Sequence, residues 1–178
     1  MKLQIKNVVV TIYYENEFNL DKLFEVAPKG STYDPWSFSA VCWRLPEVSA
    51  NIFANGKVVL VGIKDLSKIP VLIQAFEDSL RERGIELSRK FWRLSNMVAM
   101  VDAEQAIDLI ELAERLQHST QVVYEPETFP AATIRKQFGT RVISFNVFST
   151  GRIMIFGCRS MGELKLACNY VKEILGGE

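Results

Sequence analysis

The chain repeats itself, and the repeat limits what it can fold into more than any other feature. "FANGKVVLVG" (53–62) and "FSTGRIMIFG" (148–157) run in the same order: Phe, a tight turn ending in Gly, a basic residue, four apolar residues, Gly. A further basic residue follows two positions beyond each, Lys64 and Arg159. Upstream, "KNVVVTI" (6–12) answers "SNMVAMV" (95–101), and "TYDPWSF" (32–38) answers "VYEPETF" (123–129). The offsets of 89, 91 and 95 drift only as loop changes would make them drift. Three matched signals in one order define a tandem repeat, with halves at 1–86 and 87–178.

Each half reads as strand, helix, several strands, helix. "NLDKLFEV" places Leu20, Leu23 and Phe24 on one helical stripe, and "AEQAIDLIELAERLQ" does the same through Ile107, Ile110 and Leu116. The end helices carry Ile69, Ile73, Phe76 and Leu80 in one half, and Leu164, Ala167, Val171 and Leu175 in the other. Pro70 belongs in a first turn, where its missing N–H is tolerated. "ANG" and "STG" are hairpin turns between β-rich runs. A sheet with helices on one face should alternate apolar and polar residues. Here both sets are apolar: Val59 and Val61 oppose Val58 and Leu60, and Met154 and Phe156 oppose Ile153 and Ile155. Either a second protein layer or a dimer covers the other face, or that face is an exposed apolar binding surface. Two helices per half are about enough for one face.

Composition excludes several classes of function. No apolar run approaches the ~20 residues that a membrane-spanning helix needs, and "KLQIKNVVVTIYY" lacks the pattern of a signal peptide. Cys42, Cys158 and Cys168 show no C-x-x-C spacing and read as reduced, buried, small hydrophobes of an intracellular protein. There is one histidine, His118, and no phosphate loop, metal-ligand spacing or nucleophile motif, so neither an enzyme nor a cofactor is expected. The 21 basic and 21 acidic residues cancel, which leaves any nucleic-acid footprint to local placement.

The order N-V-V-x-T, Y-x-P-x-x-F, Phe-turn-Gly-basic and "YEPETFP" resembles the core domain of the TATA-binding protein family across both halves. The resemblance implies an α+β saddle: two tandem pseudo-symmetric repeats share a curved antiparallel sheet, with helices on the convex face and DNA on the concave one. It implies a basal transcription initiation factor that bends promoter DNA from the minor groove. Its partners would be double-stranded DNA and a transcription factor IIB-like protein, with a factor IIA-like protein and RNA polymerase machinery as further candidates. Its location would be the nucleus, or the cytoplasm in an archaeal or viral setting. By position, Phe38 with Phe53 and Phe129 with Phe148 would be the paired wedges between base steps, a use of this family that general accounts of minor-groove kinking cite. Asn7 and Asn96 would reach the central base edges. Val9, Val98, Val59, Val61, Met154, Phe156, Asn51, Asn146, Ser39 and Pro130 would fill out the base-contacting face. Arg44, Arg135, Lys57, Arg152, Lys64 and Arg159 would hold phosphates, and Glu125 and Glu127 the IIB-like partner. Independently of the resemblance, Asn suits neither burial nor a strand interior, so its recurrence at 7 and 96 favours a working surface.

The departures fall on the same face. Where the family has threonine, this chain has Val61 and Phe156; where it has leucine, Asn51 and Asn146. Lys6 and Ser95 replace the polar residue before each central Asn. Hydroxyls leave and amides arrive, so a relaxed or altered sequence preference is expected. A competing reading on the same fold is a protein-interaction module with weak or no DNA binding, favoured by the neutral charge and the substituted face.

Overall fold

The computed structural model describes residues 1–118 and 120–176. It divides into two compact units, one of residues 7–95 and the other of 1–6 with 96–178.

The 7–95 unit begins in strand β1 (Lys2–Tyr14) and continues through helix α1 (Leu20–Glu25), strands β2 (Thr32–Asp34), β3 (Phe38–Arg44), β4 (Ser49–Ile52) and β5 (Lys57–Ile63), and helix α2 (Ile69–Arg81). Strand β6 (Arg89–Asp102) closes it. The ladder runs β2-β3-β4-β5-β1-β6. Within this unit Thr11 and Ser95 bond through their hydroxyls, Tyr13 stacks on Phe91, and Lys90 meets Glu15. As β1 ascends β6 descends, so the two are antiparallel.

The other unit takes the remainder of β6, then helix α3 (Leu109–Leu116), strands β7 (Gln121–Val123), β8 (Ala131–Phe138), β9 (Arg141–Phe148) and β10 (Arg152–Cys158), and helix α4 (Met161–Ile174). Its ladder is β1-β6-β10-β9-β8-β7. Both units are therefore antiparallel sheets with two helices, as the doubled motifs predict.

The hairpin turns need their glycines. Gly56 and Gly151 sit at φ +83° and +90°, and a Cβ at either would run into the carbonyl oxygen of Asn16 or of Gln105. Helix starts are capped by side chains: Asn19 accepts the Lys22 N–H, Asp108 the N–H groups of Ile110 and Glu111, and Ser160 that of Glu163. Pro70 lies in the first turn of α2.

The alternating apolar sets separate cleanly. Val58, Leu60, Ile153 and Ile155 are buried with the helix stripes Ile69, Ile73, Phe76 and Leu80, and Leu164, Ala167 and Val171. Val59, Val61, Met154 and Phe156 lie on the opposite side and are only half-buried. Within each unit the helices cover one face and leave the other open.

Four expectations need correction. The third helix starts at Leu109, because the N–H groups of Ala103 and Ile107 bond to the Gly151 and Ser149 carbonyls and tie that segment to the hairpin turn. Its buried stripe is Leu109, Leu112 and Leu116, while Ile110 is 63% exposed. Phe24 is exposed, its ring 5.9 Å from that of Tyr33, and Leu23 alone is buried from α1. In the last helix Ile174 is buried at the end of the stripe, and Leu175 is the half-buried C-cap. Of the three unpaired cysteines only Cys158 is buried, its thiol pushed up to about 11 by burial; Cys42 and Cys168 are half-buried.

Candidate nucleic-acid interface

The open face of each unit is built around one asparagine. Glycines 62 and 157, at φ +95° and +98°, each lie within a register shift in the ladder, which turns their N–H groups out of the sheet pattern. Asn7 Oδ1 accepts the Gly62 N–H at 2.9 Å, and Asn96 Oδ1 accepts the Gly157 N–H at 3.1 Å. The bond does two things. It satisfies an amide the bulge would orphan, and it leaves Nδ2 as the group each asparagine presents. An A·T minor groove offers only acceptors, so a donor held in place suits it. The sequence argument against Asn in a strand missed this scaffolding role, which explains half of why the residue recurs.

Around each asparagine the cross-strand register sets the rest of the face. In the 7–95 unit Asn51 lies between Cys42 on β3 and Val59 on β5, and Val59 lies opposite Thr11. Val61 lies opposite Ser49, and Val9 is half-buried. In the other unit Asn146 lies between Thr133 and Met154, and Met154 opposite Met100. Phe156 lies between Val98 and Ser144. The Thr133 hydroxyl is 3.2 Å from Asn146 Oδ1, which again leaves Nδ2 as the amide's outward donor. The hydroxyls missing at Val61 and Phe156 thus reappear one strand over, as Ser49 and Ser144. Register carries that information and sequence order does not.

The four phenylalanines form two pairs. Phe38 and Phe53 meet edge to face with ring centres 5.7 Å apart, and Phe129 and Phe148 at 6.1 Å. Phe38 is 47% exposed and Phe129 41%, far from the usual fate of phenylalanine. Ser39 and Pro130, beside them in sequence, are also exposed.

The cations border the face and lack carboxylate partners. Among the described residues none of Arg44, Lys57, Lys64, Arg135, Arg152 and Arg159 forms a side-chain ion pair. Arg44 donates to Ser49 Oγ at 2.9 Å, and Lys57 Nζ lies 5.4 Å from the Phe53 ring centre. A cation without a carboxylate partner can take an external anion, and phosphate oxygens are the commonest such partners in protein–DNA contacts. The sequence reading also passed over Tyr13, Phe91 and Arg93. Tyr13 stacks on Phe91 at 4.7 Å, and the Arg93 guanidinium lies 5.6 Å from the Tyr13 ring centre.

The two turns that precede the phenylalanine pairs differ. Glu125 and Glu127 are exposed, and the Glu125 carbonyl accepts the Thr128 and Phe129 N–H groups at 2.9 Å each, fixing the turn to the ring it presents. In the other turn the Asp34 carboxylate accepts from the Ser37 hydroxyl at 2.8 Å and the Trp36 N–H at 3.1 Å. Those bonds hold its carboxyl below the usual carboxylate range. Trp36, at the tip, is 98% exposed. No group of three or more metal-ligating side chains gathers among the described residues, and no helix there is long and apolar enough to cross a membrane.

Repeated α+β units, each with an open sheet face of amides, aliphatic side chains and paired phenylalanines, define a tandem-repeat protein of the sheet-and-helix class. The family model described as "Transcription factor TFIID (or TATA-binding protein, TBP)" matches residues 2–83 and 92–176. The chain is 30% identical to the TATA-box-binding protein of Aeropyrum pernix over 92% of its length and 79% of the relative's. It is 31% identical to that of Thermococcus kodakarensis, over 98% and 89%, and 27% identical to that of the ciliate Tetrahymena thermophila, over 97% and 69%. The solved structure of Methanococcus jannaschii TBP superposes with a TM-score of 0.83 over 99% of both chains, at 24% identity, and shows the same fold. The chain belongs to the TATA-binding protein family. Membership implies a DNA-binding factor of transcription initiation, and its relatives are transcription factors and not enzymes.

Proposed function

We propose that the chain lies with its open face in the minor groove of promoter DNA and bends it. The paired phenylalanines enter base steps, at an unstacking cost of a few kcal/mol that the wrapped contact area offsets. Asn7, Asn96, Asn51 and Asn146 present amide donors to base edges, between Val9, Val59, Val61, Val98, Met154 and Phe156. The six bordering cations hold phosphates. Glu125 and Glu127 meet a factor IIB-like protein that brings RNA polymerase, in a nucleus or a cytoplasm according to the host. One observation carries this reading: the open face of each unit bears a matched edge-to-face pair of phenylalanines, one ring of each pair exposed.

The base preference is proposed to differ from plain TATA. Asn51 and Asn146 add amides where a guanine amino group or an A·T acceptor would lie, and Phe156 adds bulk. Gel shifts on TATA, A·T-rich and G·C-interrupted duplexes test this, and an undiminished preference of roughly ten-fold or more for TATA sinks the altered preference (about 1.4 kcal/mol).

A second reading, an interaction module with little DNA affinity, is favoured by Trp36, a fully exposed ring on a turn whose counterpart carries Glu127. Salt dependence separates the two. Phosphate contacts make binding fall steeply with salt, whereas no duplex binding at low salt leaves only the module.

A further inference from the structure

The 7–95 unit carries a row of side chains along one edge of its open face that the other unit lacks. Phe38 touches Phe53; the Phe53 N–H bonds to the Lys57 carbonyl at 2.9 Å; Lys57 is the register partner of Tyr13; and Tyr13 stacks on Phe91. The row thus runs from β3 through Phe53, just past the end of β4, to β5, β1 and β6. Phe91 is 55% exposed, and Arg93, beside Tyr13, forms no ion pair among the described residues.

In the other unit the row starts alike, with Phe129, Phe148 and Arg152, and then loses its rings. The register partner of Arg152 is Asp102. Asp102 accepts the Glu104 N–H at 2.9 Å, and the Glu104 carboxylate pairs with the Met1 amino group at 2.8 Å. At the 89-residue offset of the central asparagines, Tyr13 corresponds to Asp102, Phe91 to Lys2 and Arg93 to Gln4. The exposed ring and unpaired guanidinium therefore reflect no general need of the fold.

We propose that Tyr13, Phe91 and Arg93 form an additional DNA-backbone site, present in the 7–95 unit alone. It rests on the minor-groove reading above. The Phe91 face, held up by the Tyr13 stack, packs on deoxyribose, which is apolar on its carbon side. Arg93 takes a phosphate on the strand whose neighbouring phosphate Lys57 holds. The stack costs little to order, since each ring has two χ angles and they fix one another. At the matching edge of the other unit Asp102 and Gln4 stand where Tyr13 and Arg93 do, so neither the ring stack nor the guanidinium is present. Grip on the DNA is consequently unequal between the repeats, and the difference favours one orientation on a near-symmetric site.

The test uses the full chain and a duplex with one A·T-rich core, comparing wild type with Arg93→Gln, Phe91→Ala and, as a control, Phe53→Ala. Arg93→Gln is expected to lower the slope of log K against log salt by about 0.9, the value of one phosphate contact. Phe91→Ala is expected to weaken binding roughly three- to ten-fold, as loss of part of a buried ring does. In hydroxyl-radical footprints it should remove protection at one end of one strand and leave the rest. If either variant matches wild type in slope or footprint, respectively, the site is overturned. When that happens while Phe53→Ala still weakens binding, the minor-groove reading survives alone. Absence of salt-dependent binding by wild type removes both.

Discussion

The two units solve the same folding problem with different chemistry, and the difference is largest under the helices and at the edge of the open face. The 7–95 unit buries a polar brace: the Tyr14 hydroxyl donates to Glu77 at 3.0 Å, and the Arg89 guanidinium lies 3.4 Å from the same oxygen. This joins β1, α2 and β6. The other unit uses rings instead, with Tyr170 of α4 at 5.3 Å from Phe145 and 5.9 Å from Phe138, and Lys136 over the Tyr170 face at 5.2 Å. Repetition preserved the backbone register and the face, while each unit kept its own means of holding helix to sheet.

The largest expected effect tests whether the two wedge pairs are equal. Phe38→Ala with Phe53→Ala, and separately Phe129→Ala with Phe148→Ala, should each weaken duplex binding by about 3 kcal/mol, roughly a hundred-fold. Circular permutation of the site in bent-DNA gel shifts should show a smaller bend in both cases. If one double variant binds and bends like wild type, that pair is surface packing and the symmetry is only structural.

Next is the brace. Glu77→Ala leaves a buried tyrosine hydroxyl without its acceptor and Arg89 without its acid, and should cost about 2–3 kcal/mol of unfolding free energy in urea. Glu77→Gln, which keeps an acceptor for Tyr14, should cost about half of that. Hydrogen exchange should quicken in β1, α2 and the first half of β6 and stay unchanged in β8 and β9. Equal quickening in both units would mean that the brace does not belong to one of them.

The same brace predicts a pH effect. Burial first, and then the Glu77 carboxylate, push the Tyr14 hydroxyl far above its ordinary value. The neutral phenol is therefore the folded form, and its contribution is complete below the unfolded tyrosine pKa of about 10. It is lost as pH rises beyond that value, at about 1.4 kcal/mol per unit. Tyr14→Phe should start less stable at neutral pH and lose less stability between about pH 10 and pH 11. Parallel curves for the two proteins would show that Tyr14 does not govern the alkaline limb.

How much of this could be read in the sequence depends on whether order or register carries it. The doubled "Phe-turn-Gly-basic" phrase is local, so the repeat and the hairpins follow from it directly, whereas the doubled apolar pattern fits a covered second face as well as an open one. The side that Val59 and Met154 take is a matter of period two, and the strands obey it. The start of the third helix is different, because carbonyls nearly fifty residues away in the hairpin turn pull 103–107 out of the helix that the pattern suggests. Within the face, Ser49, Ser144 and Thr133 become relevant only through cross-strand pairing. The Tyr13–Phe91 stack joins residues 78 apart in the chain, and neither belongs to a repeated motif.

The smallest effect bears on one position of the open face, where the units differ by Val61 against Phe156. Val61→Thr is nearly isosteric and adds a hydroxyl beside Ser49, which already supplies one, so base preference should move by less than about two-fold. Phe156→Thr changes both terms in a half-buried position between Val98 and Ser144. It removes bulk from the open face and returns a hydroxyl. Preference for an uninterrupted A·T duplex over a G·C-interrupted one should rise roughly five-fold, about 1 kcal/mol. Equal shifts from the two substitutions would place the altered preference in the hydroxyls. A shift from Phe156→Thr alone places it in the ring, and no shift from either returns the question to Asn51 and Asn146.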